Sequence, residues 1–437
     1  MLEPAERVLP TIDLRGPRRA GEDGAAWRRL CAREAGLDGA SEAAAREIIA
    51  AVRERGDAAV RECTARLEGR TLEALEVSPE LRAEASARVS AELRAALALA
   101  AENIRVFHET QRPSLSGRSA EGVRLASRPR PLRRVAVYAP GGTAAYPSSV
   151  LMTAIPAKVA GVPEVLLFTP RPSDVVLCAA ALAGVDRVFA IGGAQAIAAA
   201  ALGTESVPRV DKIVGPGNAY VTAAKRQVFG LCDIDSIAGP SEVLVLADAA
   251  ADPRLVAADL LAQAEHDALA CPVVVTDAPS LAGALPAALA AQLATLPRRE
   301  IARVALAEHG AVVLVEDRDR MVEAANEYAP EHLELLVQEP GELVDRIDGA
   351  GAIFVGAHTP EAAGDYTAGP SHVLPTAGAA RYASPLGVWD FIKYTSVLEL
   401  SPSALRAQAA AITALARAEG LEAHARAVEL RIAEDAS

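Results

Sequence analysis

The stretch RVAVYAPGGTAAYPSSVLMTAIPAKVAGVPEVLLFTP, residues 134–170, decides the fold. It opens on a β-rich run, VAVY, passes a glycine-containing turn, enters a helical stretch from Pro147 to Gly161 and ends on a second run, EVLLF. Strand, turn, helix and strand in that order make a parallel βαβ unit. The rhythm continues through RVFAIG, a helix, KIVGPG and a helix to Phe229. A second series begins at EVLVLAD, Glu242 to Asp248, and runs through PVVVTD, AVVLVE, HLELLV and AIFVG. The expected fold is therefore α/β, with two Rossmann-like, parallel-sheet domains and ligands at the carboxyl ends of the strands.

Outward from these series the pattern thins. The polar, proline-punctuated start reads as a small N-terminal appendage. From Ser41 the apolar residues Ile48, Ile49, Val52, Val60 and Leu67 recur at helical spacing, broken at Gly56. A second long helix is expected from Ser78 as N-cap, with Pro79 at its first position, to about Thr110. The next twenty residues, rich in Pro, Ser, Gly and Arg, read as a crossing connection between domains. After Pro402 an alanine-rich helical tail has too few apolar residues for a core of its own, so it should pack on something else, such as another subunit.

The 437 residues carry 44 basic and 57 acidic side chains, a net charge of −13 that disfavours nucleic acid and anionic membranes as partners. Five scattered cysteines with no CxxC encode neither a disulfide framework nor a thiolate zinc site, so any metal must take nitrogen and oxygen ligands. The absence of long apolar runs and of a signal-like start suggests a cytoplasmic protein.

Three glycine turns, YAPGGTAAYP (Tyr138 to Pro147), IGGAQAIAA (Ile191 to Ala199) and VGPGNAYVTAAK (Val214 to Lys225), each follow a strand and open a helix, where free backbone N–H groups favour phosphate. None is a G-x-G-x-x-G fingerprint, and each taken alone reads equally well as a tight βα turn. In QAEHD, Gln263 and His266 stand three apart within a helix expected from Pro253 to Ala270, on one face, where they could share a metal. Glu331 and His332 in YAPEHLEL, Asp365 and His372 in GDYTAGPSH, and Glu419 and His424 in GLEAH pair histidine with acid. Taken singly, each of these histidines reads more readily as a satisfied structural one.

Together, GPSEVLVLAD, LLAQAEHD, NEYAPEHLEL, TPEAAGDYTAGPSHVLPT, GLEAHARAVELR, GPGNAYVTAAKRQVFG and GGAQAIAA resemble the histidinol dehydrogenase family from about Arg133 onward, in order and spacing. The resemblance implies a zinc- and NAD-dependent four-electron oxidation of L-histidinol to L-histidine by way of the aldehyde, in histidine biosynthesis. It implies zinc on Gln263, His266, Asp365 and His424, with His332 as the base for the hydroxyl proton and Glu331 activating water on the aldehyde. Ser241, Gln263, His266, His332, Asp365, His372, Glu419 and His424 would contact the substrate. Tyr138, Gln195 and Asn218 would contact NAD. The resemblance also implies a homodimer in which each tail completes the partner's site. Ser371, Tyr382 and Tyr394 depart from the family's usual residues and bear on details of substrate binding. A related zinc and NAD polyol dehydrogenase of sulfopropanediol type, and a zinc hydrolase, are the alternatives. The expected domains are 1–35, an appendage; 36–128 with 240–392, carrying zinc and the catalytic residues; 129–239, binding NAD; and 393–437, the swapped helical tail.

Overall fold

A computed structural model of the chain describes residues 9–16, 21–33, 36, 38–141 and 146–434. Residues 142–145 of the first glycine turn and parts of the expected N-terminal appendage lie outside the described residues. The chain divides into two compact units, Met1–Gln111 with Arg133–Phe391, and Arg112–Leu132 with Ile392–Ser437.

The first unit holds two parallel sheets. One runs from edge to edge as Arg187–Phe189, Glu164–Phe168, Arg134–Tyr138, Lys212–Val214 and Asp233–Ile234. The other runs as Thr11–Asp13, Ala311–Leu314, Cys271–Thr276, Glu242–Ala247, His332–Leu336 and Ala352–Val355. The alternation of strands and helices read from the sequence is thus the observed α/β fold. Strands such as Glu242–Ala247 and Cys271–Thr276 are buried at every residue, which is why they read as unbroken apolar runs rather than alternating ones.

The N-terminal region is more than an appendage. Thr11–Asp13 is the edge strand of the six-stranded sheet, and Trp27, 2% exposed in the helix Glu22–Cys31, stacks on Tyr328 with ring centroids 5.8 Å apart. Three residues are too few for periodicity to reveal. The helices Gly39–Arg55 and Asp57–Glu68 break at Gly56 as expected. Their apolar stripe, however, joins one cluster with Ala136, Leu166, Phe168 and Ile213 of the five-stranded sheet, not with the sheet of residues 242–355. The expected helix from Ser78 to Thr110 is two helices, Pro79–Arg88 and Ala91–Glu109. Ser78 caps the first by accepting from Leu81 N–H, and Ser90 caps the second by accepting from Leu93 N–H. A second cap of that kind inside an alanine-rich stretch is the signal for the break.

In the second unit, the expected crossing connection is a hairpin. Ser116–Ala120 pairs antiparallel with Val123–Pro131, which pairs antiparallel with Ile392–Leu400. Its turn is Glu121-Gly122, with φ of 51° and 77°, the both-positive geometry of a two-residue hairpin loop. Most residues of this sheet are half or fully exposed, so no apolar alternation advertised it. The tail follows as the helices Pro402–Ala418 and Glu422–Glu434. Among the described residues no helix is long and apolar enough to cross a membrane.

Candidate active site

In the six-stranded sheet the strands Glu242–Ala247 and His332–Leu336 start side by side, with His332 in register with Val243 and Glu331 just before it. At this amino end the main chain of Glu242 is taken up by side chains. Its N–H donates to Glu331 Oε2 at 2.9 Å, and its carbonyl oxygen lies 2.9 Å from His332 Nδ1. A carbonyl only accepts, so Nδ1 carries the proton and Nε2 keeps its lone pair. Nε2 is buried and has no hydrogen-bond partner among the described residues. Burial pushes the imidazole down to about 4, against the nearby charge of Asp365, so the ring is neutral at neutral pH.

Glu361 and Asp365 stand one turn apart on the short helix Glu361–Tyr366. A Cβ on Gly364 would meet ring carbons of Phe354 at 2.6 and 2.8 Å, so glycine lets this helix lie close on the strand Ala352–Val355. That approach brings Glu361 Oε1 to 3.9 Å from His332 Nδ1. One ligating atom each of His332, Glu361 and Asp365 lies within 4.8 Å of the others. Gln263 adds its amide, with Nε2 3.4 Å from His332 Nδ1 and Oε1 buried without a partner among the described residues.

The helix bearing Gln263 ends at Ala264 rather than at Ala270. His266 therefore lies in the turn beyond it, exposed, with its N–H on the Gln263 carbonyl at 3.1 Å. Its charge still acts on both His332 and His372, opposing protonation of each. His372 Nδ1 lies 3.1 Å from the Asp365 carbonyl oxygen, and its Nε2 lies 3.4 Å from Ser149 Oγ at the start of the helix Pro147–Val159. Through that contact the amino end of one sheet faces the carboxyl end of the other. Ser241 directly precedes Glu242 and accepts from Cys271 N–H at 2.9 Å. Ser371 is buried and fastens its loop by donating to the Met152 carbonyl at 3.3 Å. Tyr382 and Tyr394 are exposed. Glu419 and His424 belong to the second unit, both exposed, at the end of the helix Pro402–Ala418 and in the first turn of Glu422–Glu434.

A feature the sequence reading missed is the amount of buried acid around His332. Burial raises Glu331, Glu361, Glu334 and Asp259; the charge of neighbouring carboxylates adds to it in the first three, whereas the hydrogen bond of Asp259 to Glu334 works in the opposite sense. Glu334 is pushed up to about 9, and its Oε1 accepts from Glu361 N–H at 2.8 Å. Two signals were available. Glu361 and Asp365 are four apart on a helix, and Glu334 follows His332 by two on a strand, hence on the same face.

At the carboxyl ends of the five-stranded sheet, Tyr138 Oη accepts from Gly193 N–H at 3.1 Å. Gln195, in the first turn of the helix Gly193–Leu202, donates to Glu68 at 3.1 Å while its Oε1 stays buried without a partner among the described residues. Asn218 caps the helix Ala219–Val228, accepting from Val221 N–H at 3.2 Å.

A neutral, buried imidazole among acids at one sheet end, facing glycine-turned strand ends of a second parallel sheet, is the architecture of an α/β oxidoreductase. The comparisons carry this to a family. The profile of the family described as histidinol dehydrogenase matches residues 32–432. A histidinol dehydrogenase of Moorella thermoacetica is 51% identical over 97% of this chain and 100% of its own length. One of Rhizobium meliloti is 52% identical over 89% and 92%. The crystal structure of histidinol dehydrogenase from Elizabethkingia anophelis superposes with a TM-score of 0.92 at 34% identity, covering 98% of this chain and 99% of that one. The chain belongs to the histidinol dehydrogenase family.

Proposed function

We propose that this chain oxidises L-histidinol to L-histidine through the aldehyde, in two successive hydride transfers to NAD, as a step of histidine biosynthesis. The observation that carries the reading is the bare, buried Nε2 of His332 beside Asp365, Glu361 and Gln263.

The donors fit a zinc ion. Gln263 Oε1 and Glu361 Oε2 are buried without partners among the described residues, and acids held protonated by burial and by one another's charge are what a dication relieves. Gln263, His266 and Asp365, with His424 contributed by the partner subunit's tail, would hold zinc through nitrogen and oxygen. Zinc would supply Lewis-acid polarisation and a fixed point for the amine and imidazole of histidinol. Ser241, His372 and Glu419 would contact the same substrate. Tyr138, Gln195 and Asn218 would hold NAD, the hydride acceptor, and the unpartnered Gln195 Oε1 supports a ligand there.

His332 takes the hydroxyl proton at Nε2 while its Nδ1–H stays on the Glu242 carbonyl, which fixes both tautomer and ring plane. Glu331, once ionised, draws a proton from water as that water attacks the aldehyde, giving the hydrate from which the second hydride leaves. Burial raises Glu331, so this step should gain as pH rises. The chain is expected to act in the cytoplasm as a homodimer. Purified protein given NAD and histidinol should yield two NADH per histidine. Absence of NADH with histidinol, alongside NADH from dihydroxypropanesulfonate, would transfer the chain to the sulfopropanediol type.

A further inference from the structure

Arg33 lies far from these residues in sequence, yet its guanidinium is only 10% exposed and reaches the strand that orients both bases. Its Nε donates to Glu242 Oε1 at 2.7 Å and its Nη2 to Glu242 Oε2 at 2.6 Å, a two-pronged pair with a carboxylate that is 1% exposed. The same Nη2 donates to the carbonyl oxygens of Tyr328 at 3.0 Å and Ala329 at 3.3 Å. The guanidinium carbon sits 3.5 Å above the centre of the Tyr328 ring. Ala329 is a non-glycine residue at φ 51°, two positions before Glu331.

Glu242 passes this anchoring on. Its carboxylate also accepts from Ala377 N–H at 2.7 Å and Glu331 N–H at 3.3 Å. Its N–H holds the Glu331 carboxyl, and its carbonyl holds His332. Arg33 thus grips the segment leading into Glu331 and His332 from two sides: directly at the backbone of residues 328 and 329, and through Glu242 at the groups that aim both side chains. We propose that Arg33 is a positioning residue for the oxidation, acting through Glu242 to hold Glu331 and His332 in line with the substrate. The inference rests on the proposed activity. A planar fork is needed for this, because lysine offers one point charge and cannot bond both carboxylate oxygens and the two carbonyls in a fixed plane.

The test uses the full-length, zinc-loaded dimer in four forms besides wild type: Arg33→Lys, Arg33→Met, Glu242→Gln and the double variant Arg33→Met with Glu242→Gln. Wild type and variants are assayed on histidinol and on histidinal, with circular dichroism and elution volume recorded. A base displaced by about 1 Å can cost on the order of 100-fold, so kcat on both substrates should fall at least tenfold in Arg33→Met and less in Arg33→Lys. The KM values for histidinol and NAD should stay within twofold. The double variant should be no slower than the worse single variant, since the pair acts as one unit. A general structural weakening would instead move KM and kcat together, with additive losses, and would overturn the proposal. So would a folded Arg33→Met with kcat within twofold of wild type. If Arg33→Met fails to fold, Arg33→Lys decides: unchanged kcat overturns the proposal, and a lowered kcat at unchanged KM supports it. A wild-type protein that makes no NADH from either substrate overturns the functional reading itself, whereas an active wild type with indifferent Arg33 variants overturns only the role of Arg33.

Discussion

The two parallel sheets of the larger unit use opposite ends. The five-stranded sheet presents glycine turns and helix starts at its carboxyl ends, where Tyr138, Gln195 and Asn218 sit. The six-stranded sheet gathers Glu331, His332 and Ser241 at its amino ends, beyond the reach of the rule that places ligands at the carboxyl ends of such sheets. At a carboxyl end the following helix offers backbone N–H groups ready to meet an anion. At the amino end no such donors stand ready. There the centre is built from side chains, held by the free N–H and carbonyl of Glu242 and closed by a short helix lying back along the sheet face. The backbone-built end keeps its buried charge paired, Lys225 with Asp235 beside Gly215, while the side-chain-built end carries acids that burial keeps protonated.

If that contrast is right, removing metal should strike one end only. Thorough chelation is expected to abolish turnover while far-ultraviolet circular dichroism stays nearly unchanged, because the apolar clusters that hold the two sheets are built without the ion. Full activity in protein with undetectable zinc would break the ligand assignment. Next in size, His332→Asn should slow histidinol oxidation by about 100- to 10,000-fold, the usual worth of a positioned base. NAD affinity, which the proposed function assigns to the other sheet, should be unaffected in equilibrium titration.

The tail can be tested by mixing. Chains carrying His424→Ala and chains carrying Asp365→Ala, each inactive, should regain about a quarter of wild-type activity after subunit exchange, since half the dimers are mixed and each has one intact site of two. No recovery despite exchange verified by mass would return the tail to its own chain. The smallest effect expected is on stability. Glu334 holds its proton up to about 9 when folded but loses it near the ordinary carboxyl value when unfolded. Between those values the folded state binds more protons, so stability falls as pH rises. The Tm of metal-free protein should therefore drop by several degrees from about pH 6 to about pH 9, and Glu334→Gln should flatten that slope. A Tm that rises over the same range would contradict the burial of Glu334 as an acid.

How legible was all this beforehand? The strands were, because VAVY, EVLLF, EVLVLAD and PVVVTD are short apolar runs between glycine turns and helices. The edge strand Thr11–Asp13 and the hairpin at 116–131 were not, one being too short and the other too exposed to show a pattern. In the site, motif order pointed to Gln263, Glu331, His332, Asp365 and His372, which the structure gathers into one neighbourhood. Glu242 and Arg33 stayed hidden because their importance lies in contacts across long stretches of chain, such as the pair of Arg33 with Glu242. Spacing along a sequence carries no trace of those contacts.

The claim that one amino-end centre runs both oxidations, with its labour divided between neighbours, is tested most directly by feeding histidinol and histidinal separately to Glu331→Gln and His332→Asn. The account predicts that His332→Asn is slow on both substrates, while Glu331→Gln chiefly loses the aldehyde step and keeps most of its first hydride transfer. Equal losses on both substrates in both variants would contradict it.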